Sequence, residues 1–216
     1  MKLQTENYEK QATKWPEQGR HILAQYDAAS IVVYQAYRPE IGRFAAKHGY
    51  FGGEFSLSRM SWIKPNFLWM MYRSGWGTKQ GQEVMLAVRI SRTGFDEILA
   101  RAVPSTYSPH QFDSQEQWKA AGAASDVRLQ WDPDHDPHGE KLERRAIQLG
   151  LRGDALASYA REWIIEIEDI SEFVAEQRQL IENGALDELN TPREAIYPVE
   201  NDAADRIGLQ STKDAP

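Results

Sequence analysis

The sequence predicts a single α+β domain built on a mixed or antiparallel sheet with flanking helices. Three observations lead there. Strand-like and helix-like runs alternate, but without the regular strand–helix–strand spacing of a doubly wound parallel sheet. Neither GxxxxGK[ST] nor GxGxxG occurs, so the phosphate-cradling loops of such folds are missing. The chain of 216 residues, 41% hydrophobic and 26% charged, is long enough for one core without staples. With no cysteine it can form no disulfide, thiolate metal site or thiol nucleophile.

Residues 1–15 are polar and read as an N-terminal arm. Pro16 suits the opening of a helix or turn leading into residues 21–25. Residues 30–37 (SIVVYQAY) are β-branched and aromatic, a strand that Arg38-Pro39 ends. Pro39 then opens a short helix over 40–48, with Ile41, Phe44 and Ala45 on one face and Gly49 as its stop. After a Gly52-Gly53 turn, Phe55-Ser56-Leu57-Ser58 alternates like a strand. Pro65 leads a helix over 66–74 that Gly75 terminates. Residues 83–90 (EVMLAVRI) read as a central strand, 95–99 as a helical turn, 115–124 as a helix and 127–131 as a strand. Turns fill 132–139. Leu142, Ala146 and Leu149 recur at helical spacing, predicting a helix over 140–149, and after residues 150–153 Asp154 caps another running to 161. Residues 163–168 form the last strand, and 170–181 a helix ending near Asn183-Gly184. The acidic stretch 185–216, with three prolines, predicts an extended, partly disordered tail. The domain proper is thus 16–184.

The net charge of -7 argues against a surface that is basic throughout. Residues 34–79 are the exception, with seven basic side chains against two acidic ones. Such a segment can attract anions locally on a protein that otherwise repels them, or it can be a solvated basic face. The longest apolar run, 67–72, is too short to span a bilayer, and the first residues hold no signal-peptide core, so a cytoplasmic protein without membrane contact is expected.

Within the basic segment, residues 59–79 are dense in aromatics: Trp62, Trp69 and Trp76 recur every seven residues. Periodic aromatics ordinarily mark a core helix. The polar residues among them, Arg59, Ser61, Lys64, Asn66, Arg73 and Ser74, must be paired, snorkelling or lining a pocket, because an unpaired buried charge is costly. Arginine beside an aromatic wall suits a phosphate with a stacked ring, hence a nucleotide or a nucleic-acid end.

YQAYRPEIG, RMSWIKPNFLWMMYRSGW, LQWDP and RRAIQLGLRG together resemble the family called domain of unknown function 4291, over roughly 16–199. The resemblance implies one intact domain and marks Arg38, Arg59, Trp62, Lys64, Asn66, Arg73 and Trp76 as motif residues; it implies no activity. A second resemblance is to the constellation of arginine-type ADP-ribosyltransferases: Arg38 at a strand end, Ser56 and Ser58 on the next candidate strand, Glu166 and Glu168 on the last. It implies a split α+β sheet binding NAD. Arg38 would grip the pyrophosphate, a serine would orient the ribose, and Glu168 would stabilise an oxocarbenium-like charge. The same residues also fit a surface Arg38–Glu40 pair, strand hydroxyls and the solvent face of an alternating strand.

Asp132, Asp134, Asp136, Glu140, His135 and His138 could meet a divalent ion, but their spacing matches neither an EF-hand nor HExxH, so a turn-rich acidic loop with no metal is expected. The leading expectation is an enzyme acting on a nucleotide or NAD-like cofactor. Its rivals are a nucleic-acid-binding module with exposed tryptophans and a protein-interaction domain. Oligomeric state stays open.

Overall fold

The computed structural model describes residues 3–209. It opens with β1 (Thr5–Asn7) and α1 (Tyr8–Ala12), followed by bends rather than a helix after Pro16, and then β2 (Leu23–Ala24). β3 (Ser30–Tyr37) and α2 (Pro39–His48) follow as the sequence predicts, with Pro39 in the first turn and Gly49 closing α2 at φ +74°. β4 is Ser61–Ile63. α3 (Phe67–Ser74) starts where the Asn66 side chain accepts the Trp69 N–H at 2.7 Å and stops at the left-handed Gly75. β5 (Val84–Ser91), α4 (Arg92–Arg101), β6 (Ala102–Pro104), α5 (Gln115–Ala124) and β7 (Val127–His135) come next. Then follow β8 (Lys141–Leu151), α6 (Gly153–Arg161), β9 (Ile164–Asp169) and α7 (Ser171–Glu182). A single 3₁₀ turn (Leu186–Glu188), β10 (Asn190–Pro192), β11 (Ala195–Ile196) and α8 (Asn201–Ile207) complete the described chain.

Two sheets carry the fold. An antiparallel one has the order β3-β5-β9; a mixed one has the order β4-β8-β7-β6, with β6 parallel to β7. They touch where Tyr34 and Lys64 exchange backbone hydrogen bonds of 2.7 and 3.3 Å, and diverge beyond that bridge. β5 is central because both its faces are apolar. Val84, Leu86, Val88 and Ile90 enter the main core, shared with Leu129, Ile147, Leu149 and Leu151 of the mixed sheet. Met85 and Ala87 enter a second core, which α3 closes with Phe67, Leu68, Met70 and Met71 and α7 with Val174. The three-stranded sheet is therefore filled on both sides, and no described helix is long and apolar enough to cross a membrane.

Three segments depart from the sequence reading. Residues 140–149 are not helical: β8 alternates, sending Ile147, Leu149 and Leu151 into the core and pairing residue by residue with β7. Residues 55–58 do not form a strand. They lie in a turn, and the edge of the mixed sheet is instead Ser61–Ile63, which finds partners in Leu149–Leu151. The stretch 185–209 is woven into the structure: β10 pairs with β1, β11 with β2, and Leu189, Tyr197 and Ile207 are buried.

Candidate functional site

Beyond the Tyr34–Lys64 bridge the backbones of β3 and β4 part, and the Gln35 side chain fills the wedge. Its amide N–H group donates toward Ser61 Oγ at 2.9 Å, Tyr37 Oη at 2.8 Å and the Trp62 carbonyl at 3.2 Å. Its carbonyl accepts the Tyr159 hydroxyl at 2.7 Å. A glutamine in an otherwise apolar strand is thus held by four partners, as a buried amide requires.

The wedge opens into a cleft of 410 Å³ lined by Tyr37, Arg38, Ile41, Glu54, Phe55, Ser56, Arg59, Met60 and Ser61, with Gly81 at its edge. Tyr37 and Ser61 form its polar floor, their hydroxyls 2.6 Å apart. Both oxygens lie in reach of the Gln35 N–H group and one O–H is spent between them, so whichever donates, one hydroxyl hydrogen is left uncommitted by this pair. Burial pushes the Tyr37 phenol well above its ordinary value, so it stays protonated.

The rim is cationic. Arg38, flanking α2, pairs with Glu54 at 2.5 Å and reaches Glu40 at 4.0 Å. Arg59 is exposed and has no ion pair or side-chain hydrogen bond among the described residues. Ser56 and Ser58 are exposed and joined by a 2.9 Å hydrogen bond.

Of the residues singled out from sequence, Arg38, Ser56 and Arg59 line this cleft, and Ser58 is tied to it through Ser56. Glu166 and Glu168 do not reach it. They pair in register with Arg89 and Ala87, on the face of the antiparallel sheet shared with Val32 and Leu3, whereas Gln35 and Tyr37 belong to the opposite face. Alternation along β3 and β9 enforces this separation. Asn66 is 2% exposed and its oxygen is committed to capping α3, a structural task. Trp62 is half-buried across the mixed sheet, over Gly150, where a Cβ would come within 3.0 Å of its ring. Trp69 is 5% exposed, and Trp76 is half-buried with its indole N–H donating to the Pro137 carbonyl at 3.3 Å. All three rings pack against the protein's own residues. Lys64 is 5% exposed, and Arg73 is exposed at the end of α3.

The segment 132–140 is no loose acidic loop. Asp134 is bound by Arg144 through contacts of 2.7 and 2.8 Å, and the His135 ring stacks 3.6 Å from Tyr72. Among the described residues, no group of three His, Asp or Glu side chains could hold a metal ion. Sequence reasoning missed Gln35, Tyr37, Glu54 and Tyr159. A signal existed for Gln35, the polar residue inside an apolar strand.

Fold and site together define a single-domain α+β protein with a cation-rimmed, hydroxyl-floored cleft where two sheets part. The model of the family described as Domain of unknown function (DUF4291) matches residues 21–197, most of the chain, and the protein belongs to that family. No curated protein matches it.

Proposed function

We propose that the protein binds a nucleotide, or a nucleotide-derived cofactor such as NAD, in the cleft between β3 and β4. The observation that carries this reading is the convergence of Arg38, Ser56 and Arg59 over the Tyr37–Ser61 floor, which offers charge and hydrogen-bond donors to one phosphate-sized space. Guanidinium groups grip phosphate oxygens, the spare floor hydrogen supplies a further donor, and Ile41, Phe55 and Met60 give an apolar wall for a ring. Glu54 pairs with Arg38, and an arriving phosphate exchanges for it. Glu166 and Glu168 take no part, so the reading is of a binding site rather than of an ADP-ribosyl transfer.

Thermal unfolding with ADP, NAD and adenosine tests it. ADP or NAD at about a hundred times its dissociation constant should stabilise the protein by roughly 2.7 kcal/mol, with adenosine much weaker. Arg59→Ala should abolish the response. Glu54→Gln should tighten binding by roughly two- to five-fold, the worth of an exposed ion pair. No shift at millimolar ligand, or an undiminished one in Arg59→Ala, overturns the proposal.

A further inference from the structure

Tyr159 on α6 is 0% exposed and stands behind the cleft between β3 and β4, not in its lining. Its ring stacks 5.7 Å from Phe51, and Phe51 packs 5.6 Å from Tyr37, so one aromatic cluster holds both phenols. Among the described residues the Tyr159 hydroxyl has one hydrogen-bond partner, the Gln35 carbonyl at 2.7 Å. Burial, and then the neighbouring Tyr37, push the Tyr159 phenol well above its ordinary value, so its hydrogen is always there to give.

The other end of the Gln35 amide fixes which way it points. The Trp62 carbonyl, 3.2 Å from Nε2, can only accept, and an amide turned round would set oxygen against oxygen there. The N–H group therefore faces Trp62, Tyr37 and Ser61, and the carbonyl faces Tyr159. Neither floor hydroxyl can donate to an N–H group. One hydrogen lies between the two hydroxyls, and among the described residues neither meets another acceptor, so the second hydrogen has no protein group to serve. A ligand oxygen over Tyr37 and Ser61 satisfies it, whereas a ligand N–H there leaves it unpaired.

We propose, resting on the reading of this cleft as a nucleotide site, that Gln35 and Tyr159 are positioning residues that make the floor a hydrogen-bond donor and so select phosphate oxygens over amino groups. Tyr159 acts through Gln35, locking its carbonyl. Without the Tyr159 hydroxyl that carbonyl is buried and unpaired, and the nearest hydrogen it can recruit is the spare one on Tyr37 or Ser61. The ligand then loses that donor, although no group that touches it has changed.

Tyr159→Phe removes a single oxygen and keeps the aromatic cluster, and two measurements on it test the assignment. Titration calorimetry should show ADP weakened roughly two- to ten-fold, the worth of one hydrogen bond, with adenosine unchanged, so that the preference for ADP over adenosine falls. A merely structural role would lower the unfolding midpoint and leave that preference where it was. Heteronuclear NMR of the protein without ligand should show the Gln35 amide hydrogens exchanging with solvent at least about ten-fold more slowly than those of exposed Gln80, and most of that protection lost in Tyr159→Phe. A preference for ADP that is unchanged in Tyr159→Phe overturns the selection, and protection that is unchanged overturns the lock. Protection lost in the variant while the wild type binds no ADP overturns the cleft reading and with it the selection, while the lock stands, so the two failures are told apart.

Discussion

Replacing Lys64 by methionine should make the protein more stable near pH 7 in phosphate-free buffer. Burial, reinforced by Arg73 and opposed by Asp132, lowers the ammonium from 10.5 to about 8. At about 1.4 kcal/mol per tenfold, carrying that charge at neutral pH costs the folded state about 3 kcal/mol. The sign follows from proton counts. Between about pH 8 and 10.5 the unfolded chain keeps a proton that the folded chain has released, so stability rises with pH across that window, and the cost is fully present below it. Methionine keeps the unbranched apolar stem and drops the charge. Urea unfolding of both proteins near pH 7 and near pH 9.5 measures the difference. The variant should lead by about 3 kcal/mol at the lower pH and by about 1 at the higher, because the wild type recovers about 2 in between. Tyr34, Tyr37, Tyr159 and Tyr197, whose phenols burial pushes above 10, act in the opposite sense at still higher pH, equally in both proteins. A variant that is less stable at pH 7, or a gap that does not narrow with pH, would refute the reasoning.

Two further changes separate structural roles from binding roles. Asn66→Ala should cost about 1 kcal/mol through loss of the α3 cap and leave ADP affinity unchanged, read by chemical unfolding and by titration calorimetry. Arg144→Met should cost about 3–5 kcal/mol, because it leaves Asp134, 1% exposed, without its partner, and adding Asp134→Leu should recover most of that loss.

The parts of the fold legible in sequence are those whose signal is local. Ser30–Tyr37 is a strand by its side chains alone, and the ends of α2 and α3 are written in Pro39, Gly49, Asn66 and Gly75. The helix expected over 140–149 fails for a physical reason. Leu142, Ala146 and Leu149 suit a helix, Ile147, Leu149 and Leu151 suit a strand, and the choice is made by β4 and β7 on either side, which no local window contains. Ser56 and Ser58 alternate as a strand would, but they have no strand beside them to bond. For the site, Arg38, Ser56 and Arg59 were visible as charge and hydroxyl on neighbouring segments. Glu166 and Glu168 illustrate the limit: a motif's order along the chain does not tell which face of a sheet its residues take, and alternation turns these two away.

Among the described residues β1 has its ladder with β10, Thr5 opposite Pro192 and Asn7 opposite Asn190, and Gln11 reaches across to the Thr191 carbonyl and hydroxyl at 3.2 and 3.0 Å. For a ribosome this is a matter of timing. β1 is made about 180 residues before its ladder partner β10, at roughly 5–20 residues per second a wait of about ten to forty seconds. The two sheets can assemble during synthesis, but this clasp can close only afterwards, and with it wait the hydrogen bond from the Trp15 indole to the Glu194 carbonyl at 3.0 Å and the pairing of β2 with β11.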